Sequence, residues 1–179
     1  DIPLLHLEAG DITSGGTYDD NIRHCITKMS HFQCTSTRKG LEVLKNLGEE
    51  PWRSKHIGLL SYEDMNLIKE TDKRKIINEF NLKDLPVILC TMHPIPSSLN
   101  DTIFETESLI AALKSISIEN DVNIIFTSPN SDEGNLAIKE IIMKHQKSIE
   151  RSFYIDSLGG YNYHSILSLS EERNVIVCG

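Results

Sequence analysis

Three things this sequence lacks narrow its function early. No two of its four cysteines stand at Cys-x-x-Cys spacing and no His-Glu-x-x-His run occurs, so neither a zinc ribbon nor a helical metalloprotease site is encoded. No apolar run approaches the length that crosses a bilayer. Basic residues are in deficit, with 18 Lys and Arg against 26 Asp and Glu and a net charge of −8. A nucleic-acid or anionic-membrane surface wants clustered cations, so neither is expected as a partner. Internal repeats and low-complexity stretches are also missing.

What is present is an ordinary globular composition, 39% hydrophobic and 25% charged, long enough for one or two domains with a real core. Three of the cysteines (Cys34, Cys90, Cys178) lie in or at the ends of apolar strand-like runs. All four, with Cys25, read as buried thiols of a cytoplasmic protein. An anionic ligand would have to be met locally, by helix N-termini and a few basic side chains.

Chemistry concentrates near the start. Ile2, Leu4 and Leu5 read as a buried parallel strand, broken by Gly10, Gly15 and Gly16 before a helical pattern begins at about Asp19. Ligands of open α/β sheets sit outside the carboxyl ends of the strands, which is where this acidic cluster falls. Alternation along a strand would put His6 and Glu8 on one face and Leu5 and Leu7 on the other. Asp19 and Asp20 would open the helix, where its dipole favours negative charge, with Arg23 one turn on and within reach of either. Each has a plainer reading: an Asp at a helix start is commonly a cap, and a strand-end His commonly structural. Glu8 resists that treatment, because a carboxylate between strand residues needs a partner or a task.

The rest of the chain alternates helix and strand. Expected are a helix from about Asp19 to Ser30, a strand at 31–35, a helix capped by Ser36 or Thr37 and ended by Gly48, and a short strand at 55–58. Residues 58–63 read as a crossover into a second domain, followed by helices at Tyr62 to Lys69 and Asp72 to Phe80, the latter with Thr71 as cap. Strands at 86–92, 122–127, 152–155 and 175–177 then alternate with helices at 105–117, 135–147 and 163–169. Strands separated by helices force a parallel sheet with right-handed crossovers. His93, turned from helix by Pro94, would be presented at the sheet's carboxyl edge. Asn130 and Asp132 sit in the loop before a helix, where capping is the plainer explanation. Ser128 and Ser131 read as loop residues.

Leu5-His6-Leu7-Glu8-Ala9-Gly10-Asp11, the run Asp19-Asp20-Asn21-Ile22-Arg23-His24 with its continuation to His31, Thr91-Met92-His93-Pro94, and Thr127 to Gly134 together resemble the UDP-N-acetylglucosamine 2-epimerases, hydrolysing type. The resemblance covers most of the chain. It implies an α/β protein of two Rossmann-like parallel-sheet domains, GT-B-like and here truncated at both ends, with 1–58 the end of the first domain and 59–179 the start of the second. It implies a UDP-sugar substrate, no cofactor, no metal, and a homo-oligomer when full length. The expected activity is conversion of UDP-N-acetylglucosamine to UDP and N-acetylmannosamine through a glycal-like alkene. Glu8, Asp19, Asp20 and His93 are then the catalytic candidates, with His93 at the diphosphate, and His6, Arg23, Asn130 and Asp132 the substrate-binding ones. Three other readings stay open: a non-hydrolysing epimerase, a hydrolysing epimerase of UDP-N,N'-diacetylbacillosamine, and a binding module without turnover. A chain opening at Asp1 in a strand and closing at Gly179 after another reads as an excised piece, expected to show little activity alone.

Overall fold

A computed structural model describes residues 2–13, 18–61, 67–95, 98–169 and 175–178, with only the backbone of residues 70–73. The expected breakers Gly15 and Gly16, most of the expected Tyr62 to Lys69 helix, and the chain ends Asp1 and Gly179 lie outside the described residues. The chain divides into two compact units, Asp1–Asn66 and Leu67–Gly179.

In the first unit, β1 (Leu5–His6), β2 (Phe32–Thr35) and β3 (Ser54–His56) form a parallel sheet in that order. Helix α1 (Tyr18–Met29) connects the first pair, and α2 (Arg38–Asn46) with a 3-10 turn (Pro51–Arg53) the second. Thr37 caps α2, its hydroxyl accepting from the Gly40 amide at 3.0 Å, which satisfies a donor the first turn would otherwise orphan. The helix buries Gly40 and Leu44, four apart and so on one face. Gln33, buried in β2, ties the layer together: its amide donates to the Thr27 and Ser30 carbonyls and its oxygen accepts from Ser54. Two expectations fail here. The opening apolar run is not buried, since Ile2, Leu4, Leu5 and Leu7 are all exposed. Strand β1 is two residues long and pairs with β2 alone, so nothing among the described residues covers its outer side. Cys25 is exposed on α1, because it faces away from the sheet.

In the second unit, α3 (Glu70–Glu79), β4 (Val87–Cys90), α4 (Leu99–Glu119), β5 (Asn123–Thr127), α5 (Asn135–Gln146), β6 (Ser152–Ile155), α6 (Gly159–Leu167) and β7 (Ile176–Cys178) follow in turn. The four strands are parallel in the order β6-β5-β4-β7. Every residue of β4 and β5 is buried, because each strand feeds two cores. Ile88, Cys90, Ile124 and Phe126 pack with α4 and α5, whereas Val87, Leu89 and Ile125 pack with α3 and α6. This explains the unbroken apolar runs. Each such fully buried Ile, Leu or Phe contributes about 1.5–3 kcal/mol relative to exposure.

The order steps outward from β4 through β5 to β6, then returns to β7 on the other side of β4. The direction of strand addition therefore reverses at β4, and ligand sites collect at the carboxyl ends flanking such a reversal. Three boundaries depart from expectation. Helix α4 starts at Leu99, capped by Ser98 accepting from the Asp101 amide at 3.2 Å. Thr71 lies inside α3 and is not its cap, while α6 begins four residues early, at Gly159. Strand β7, expected to be buried, exposes Ile176 and Val177 as the edge strand beside β4.

Candidate functional site

The first sheet presents its chemistry on a turn. Strand β1 ends at His6, and Glu8 adopts φ +59°, a left-handed conformation that costs a non-glycine residue about 1–3 kcal/mol. The strand alternation therefore stops short of Glu8, and the expected pairing of His6 and Glu8 on one strand face does not occur. The His6 ring meets Thr27 of α1 (Nδ1 to Oγ1, 3.1 Å), whereas the Glu8 carboxylate accepts a hydrogen bond from the Ser36 hydroxyl beyond β2. Burial, followed by the positive charge of Arg23, holds His6 below its ordinary pKa of 6.5.

Two contacts fix the turn. The Ala9 amide donates to the Cys34 carbonyl at 2.9 Å, extending the sheet pairing beyond the bend. Gly10, at φ +81°, lies so close to α2 that any Cβ would strike the Gly40 carbonyl. Gly40 has no room either, because a Cβ there would stand 3.0 Å from Thr35 Cβ and 3.2 Å from the Ala9 oxygen. Two glycines face to face let the strand end and the helix approach closely enough to hold Glu8 at the sheet edge.

On α1, the two neighbouring aspartates differ. Asp19 is exposed, whereas Asp20 is buried. Both Asp20 oxygens accept from the Thr13 amide, and one also accepts from Arg23 Nη1 at 2.8 Å. The same Arg23 nitrogen donates to the Asp11 carbonyl at 3.1 Å. Asp20 thus caps the loop in front of the helix, and Arg23 is its partner. The Thr13 amide and the Arg23 charge hold the Asp20 carboxyl below the usual 3.8.

In the second unit, His93 follows β4 and is exposed. Its Nδ1 accepts from the Asn130 amide at 3.2 Å, which leaves the ring proton on Nε2, directed away from that loop. Asn130 and Asp132 close a tight loop: Asn130 Nδ2 donates to Asp132 at 2.6 Å and the Asp132 amide to Asn130 at 3.3 Å. Beneath it, a Cβ on Gly134 would stand 3.2 Å from Pro94 Cβ, so the histidine loop and the 130–134 loop pack directly against one another. The buried Thr102 anchors the far side by accepting from the Ile95 amide at 2.8 Å. The sequence candidates His93, Asn130 and Asp132 therefore come together, as do Asp20 and Arg23.

Several residues escaped the sequence reading. Ser36 and Thr27 meet Glu8 and His6 across 28 and 21 residues, and Thr13 meets Asp20 across seven. Another group surrounds Asp156 beyond β6. Its carboxylate accepts from Lys139 at 2.7 Å, Ser128 at 3.0 Å and Tyr154 at 3.1 Å. Lys139, then Ser128 and Tyr154, hold that carboxyl below its ordinary value. Asp156 lines a cavity of about 300 Å³ with Thr91, Thr127, Ser128, Gly159 and Tyr163, at the carboxyl ends of β4, β5 and β6. Of this group, Thr91, Thr127 and Ser128 fall within the Thr91 to Pro94 and Thr127 to Gly134 blocks of the sequence, and Lys139, Tyr154 and Asp156 do not. Among the described residues, no three His, Cys, Asp or Glu side chains group as a metal ion requires, and no helix is long and apolar enough to cross a membrane.

With this geometry in place, comparison with known proteins is informative. A family model described as UDP-N-acetylglucosamine 2-epimerase matches residues 1–174. A GDP/UDP-N,N'-diacetylbacillosamine 2-epimerase (hydrolyzing) of Campylobacter jejuni is 35% identical over 174 residues, 95% of this chain and 44% of that protein. A UDP-N,N'-diacetylbacillosamine 2-epimerase (hydrolyzing) of Legionella pneumophila is 27% identical over 168 residues, 88% of this chain and 42% of that one. The chain thus spans less than half the length of these relatives. Among solved structures, the UDP-GlcNAc 2-epimerase of Neisseria meningitidis, bound to UDP-GlcNAc, superposes with TM-score 0.72 at 16% identity, over 98% of this chain and 48% of that one. This likeness establishes the GT-B-type α/β fold.

Proposed function

The chain belongs to the UDP-N-acetylglucosamine 2-epimerase family, and from that premise we propose that the complete protein is a hydrolysing 2-epimerase acting on a UDP-linked 2-acetamido sugar, with UDP-N-acetylglucosamine as the reference substrate. The observation that carries this reading is Glu8, a carboxylate held on a left-handed turn at the sheet's carboxyl edge. Asn81 and Arg151 also adopt a left-handed backbone, and Glu8 differs from them in presenting a carboxylate beside a strand end that Gly10 and Gly40 lock by close packing.

The reaction asks for a base at C2 of the sugar and for charge stabilisation on departing UDP. As the C2–H bond breaks, its electrons form the C1–C2 double bond and the C1–O bond releases UDP. Water then adds across the alkene, oxygen to C1 and a proton to the opposite face of C2, which leaves the free 2-epimeric sugar. Glu8 and Asp19 divide the base and acid roles in this reading. Asp20 anchors the loop, because its carboxylate is already occupied by Thr13 and Arg23. His93 directs its Nε2 proton toward a diphosphate oxygen, a role its bond from Asn130 supports by fixing the tautomer. His6 and Arg23 serve from the α1 side, Asn130 and Asp132 as the support of the His93 loop.

Incubation of the complete protein with UDP-N-acetylglucosamine in deuterated water tests the reading. Free N-acetylmannosamine carrying deuterium at C2 is the expected product, and release of UDP without C2 exchange would overturn the mechanism. A second substrate is favoured by one finding: the Campylobacter jejuni relative, 35% identical, is named for N,N'-diacetylbacillosamine. Running UDP-N,N'-diacetylbacillosamine in parallel distinguishes the two by kcat/KM.

A further inference from the structure

We propose that Ser36 is a positioning residue for Glu8, holding one carboxylate oxygen so that the other stays aimed at the substrate; this rests on the reading of Glu8 as a reacting group. The Ser36 hydroxyl donates to Glu8 Oε2. A glutamate has three rotatable side-chain bonds, so a fixed backbone alone leaves its carboxylate free to swing.

The two residues are held relative to one another by a closed ring of contacts. Glu8 is followed by Ala9, bonded through its amide to Cys34, and by Gly10, packed on Gly40. Gly40 in turn donates its amide to the Thr37 hydroxyl at 3.0 Å. Thr37 accepts at its carbonyl from Thr35 Oγ1 at 2.9 Å, and Ser36 lies between these two threonines. The ring thus runs from Glu8 through Gly10, Gly40 and Thr37 to Ser36 and closes at the carboxylate. The links from Glu8 to Ser36 other than the last hold the two stretches of backbone together, and the hydroxyl–carboxylate bond then fixes the side chain.

The chemistry suits a base. A neutral hydroxyl restrains one oxygen without cancelling the negative charge, as an Arg or Lys would, and leaves the second oxygen to take a proton. Burial does not explain the contact, because Glu8 and Ser36 are both only half-buried and water could solvate the carboxylate in place of the serine. A purely structural role would show in stability; a positioning role shows in turnover.

The experiment compares the complete wild-type protein with Ser36→Ala, Ser36→Thr and Glu8→Gln on both UDP-sugars in deuterated water, reading kcat, KM, C2 exchange and the thermal midpoint. Ser36→Ala is expected to lower kcat and C2 exchange together by about 10- to 100-fold, the cost of a misplaced catalytic group. KM and the midpoint should hold, and Ser36→Thr, which keeps the hydroxyl, should restore most of the rate. An unchanged kcat in Ser36→Ala, or a loss that tracks the midpoint and is not restored by threonine, overturns the proposal. If the wild type turns over and Glu8→Gln does not, such a result removes Ser36 alone. A wild type without turnover on either sugar removes the reading of Glu8 and the role of Ser36 with it.

Discussion

Both carboxylate oxygens of Asp20 accept the backbone N–H of Thr13, at 3.0 and 3.1 Å, so a side chain in the first turn of α1 holds the backbone seven residues before it. Arg23 completes the arrangement from the next turn. Asp11 and Thr13, just beyond the Glu8 turn, are thereby tied to the helix that also carries Asp19.

Asp20→Asn should destabilise the first unit, with a pH dependence of known sign. The folded carboxyl lies below the ordinary 3.8, so its contribution is fully present above that value and is lost as pH falls through the lower folded one. Denaturant midpoints of wild type and variant should therefore differ by a constant amount at neutral pH and converge below 3.8. A difference that widens on acidification would contradict this assignment.

Glu8→Gln and Asp19→Asn separate chemistry from architecture. Each should lower kcat by about 100- to 10,000-fold, the range for loss of an acid–base group, with the thermal midpoint little changed because neither carboxylate is buried. Steady-state UDP release and a melting curve check both points. Asp19→Asn with full activity would return the second role to Asp20.

Gly10→Ala tests the close approach on which the Glu8 turn depends. A left-handed φ and a collision with the Gly40 carbonyl should together cost about 2–4 kcal/mol. Gly48→Ala is the control, because Gly48 has the same φ of +81° with nothing within 4 Å of its Cβ position, and should cost about 1 kcal/mol. Equal destabilisation of the two would mean that the Gly10–Gly40 contact adds nothing.

Glu49→Gln addresses the other end of the first sheet. The buried Glu49 carboxylate pairs with Lys28 at 2.7 Å and with Arg53. Burial pushes its carboxyl up, and the hydrogen bonds from Lys28 and Arg53 more than reverse this, leaving it below the ordinary 4.5. The substitution should cost about 2 kcal/mol at neutral pH, typical of charge-assisted hydrogen bonds, and the cost should fade as pH drops below 4.5. Urea denaturation at pH 7 and pH 3.5 reads the difference.

Much of the second unit was legible in the sequence. Its strands bury both faces, and a strand that feeds two cores must be apolar at every position, so Val87 to Cys90 and Ile124 to Phe126 announce themselves. Its helix starts were harder to place. Ser98 heads a Ser-x-x-Asp run that marks the start of α4, but the apolar stripe of Leu109, Ile110, Leu113 and Ile116 begins about three turns later and draws the expected boundary inward. In the first unit, Leu4 and Leu5 have the composition of a core strand and the exposure of an edge, a difference that depends on what lies beside them.

The candidate site divides along the same line. Which residue types occur, and where they fall relative to strand ends and helix starts, follows from the chain alone: Glu8 after a strand, Asp19 and Asp20 at the head of α1, and His93 before a proline. The partner of each depended on tertiary structure. The Asp20–Arg23 pair, one helical turn apart, is the exception that periodicity does encode, whereas Asp20 met Thr13, Glu8 met Ser36 and His93 met Asn130 across separations that it does not. Such hydrogen bonds form only where packing brings the two groups together, and for Glu8 and Ser36 two glycines on different elements, Gly10 and Gly40, set that approach.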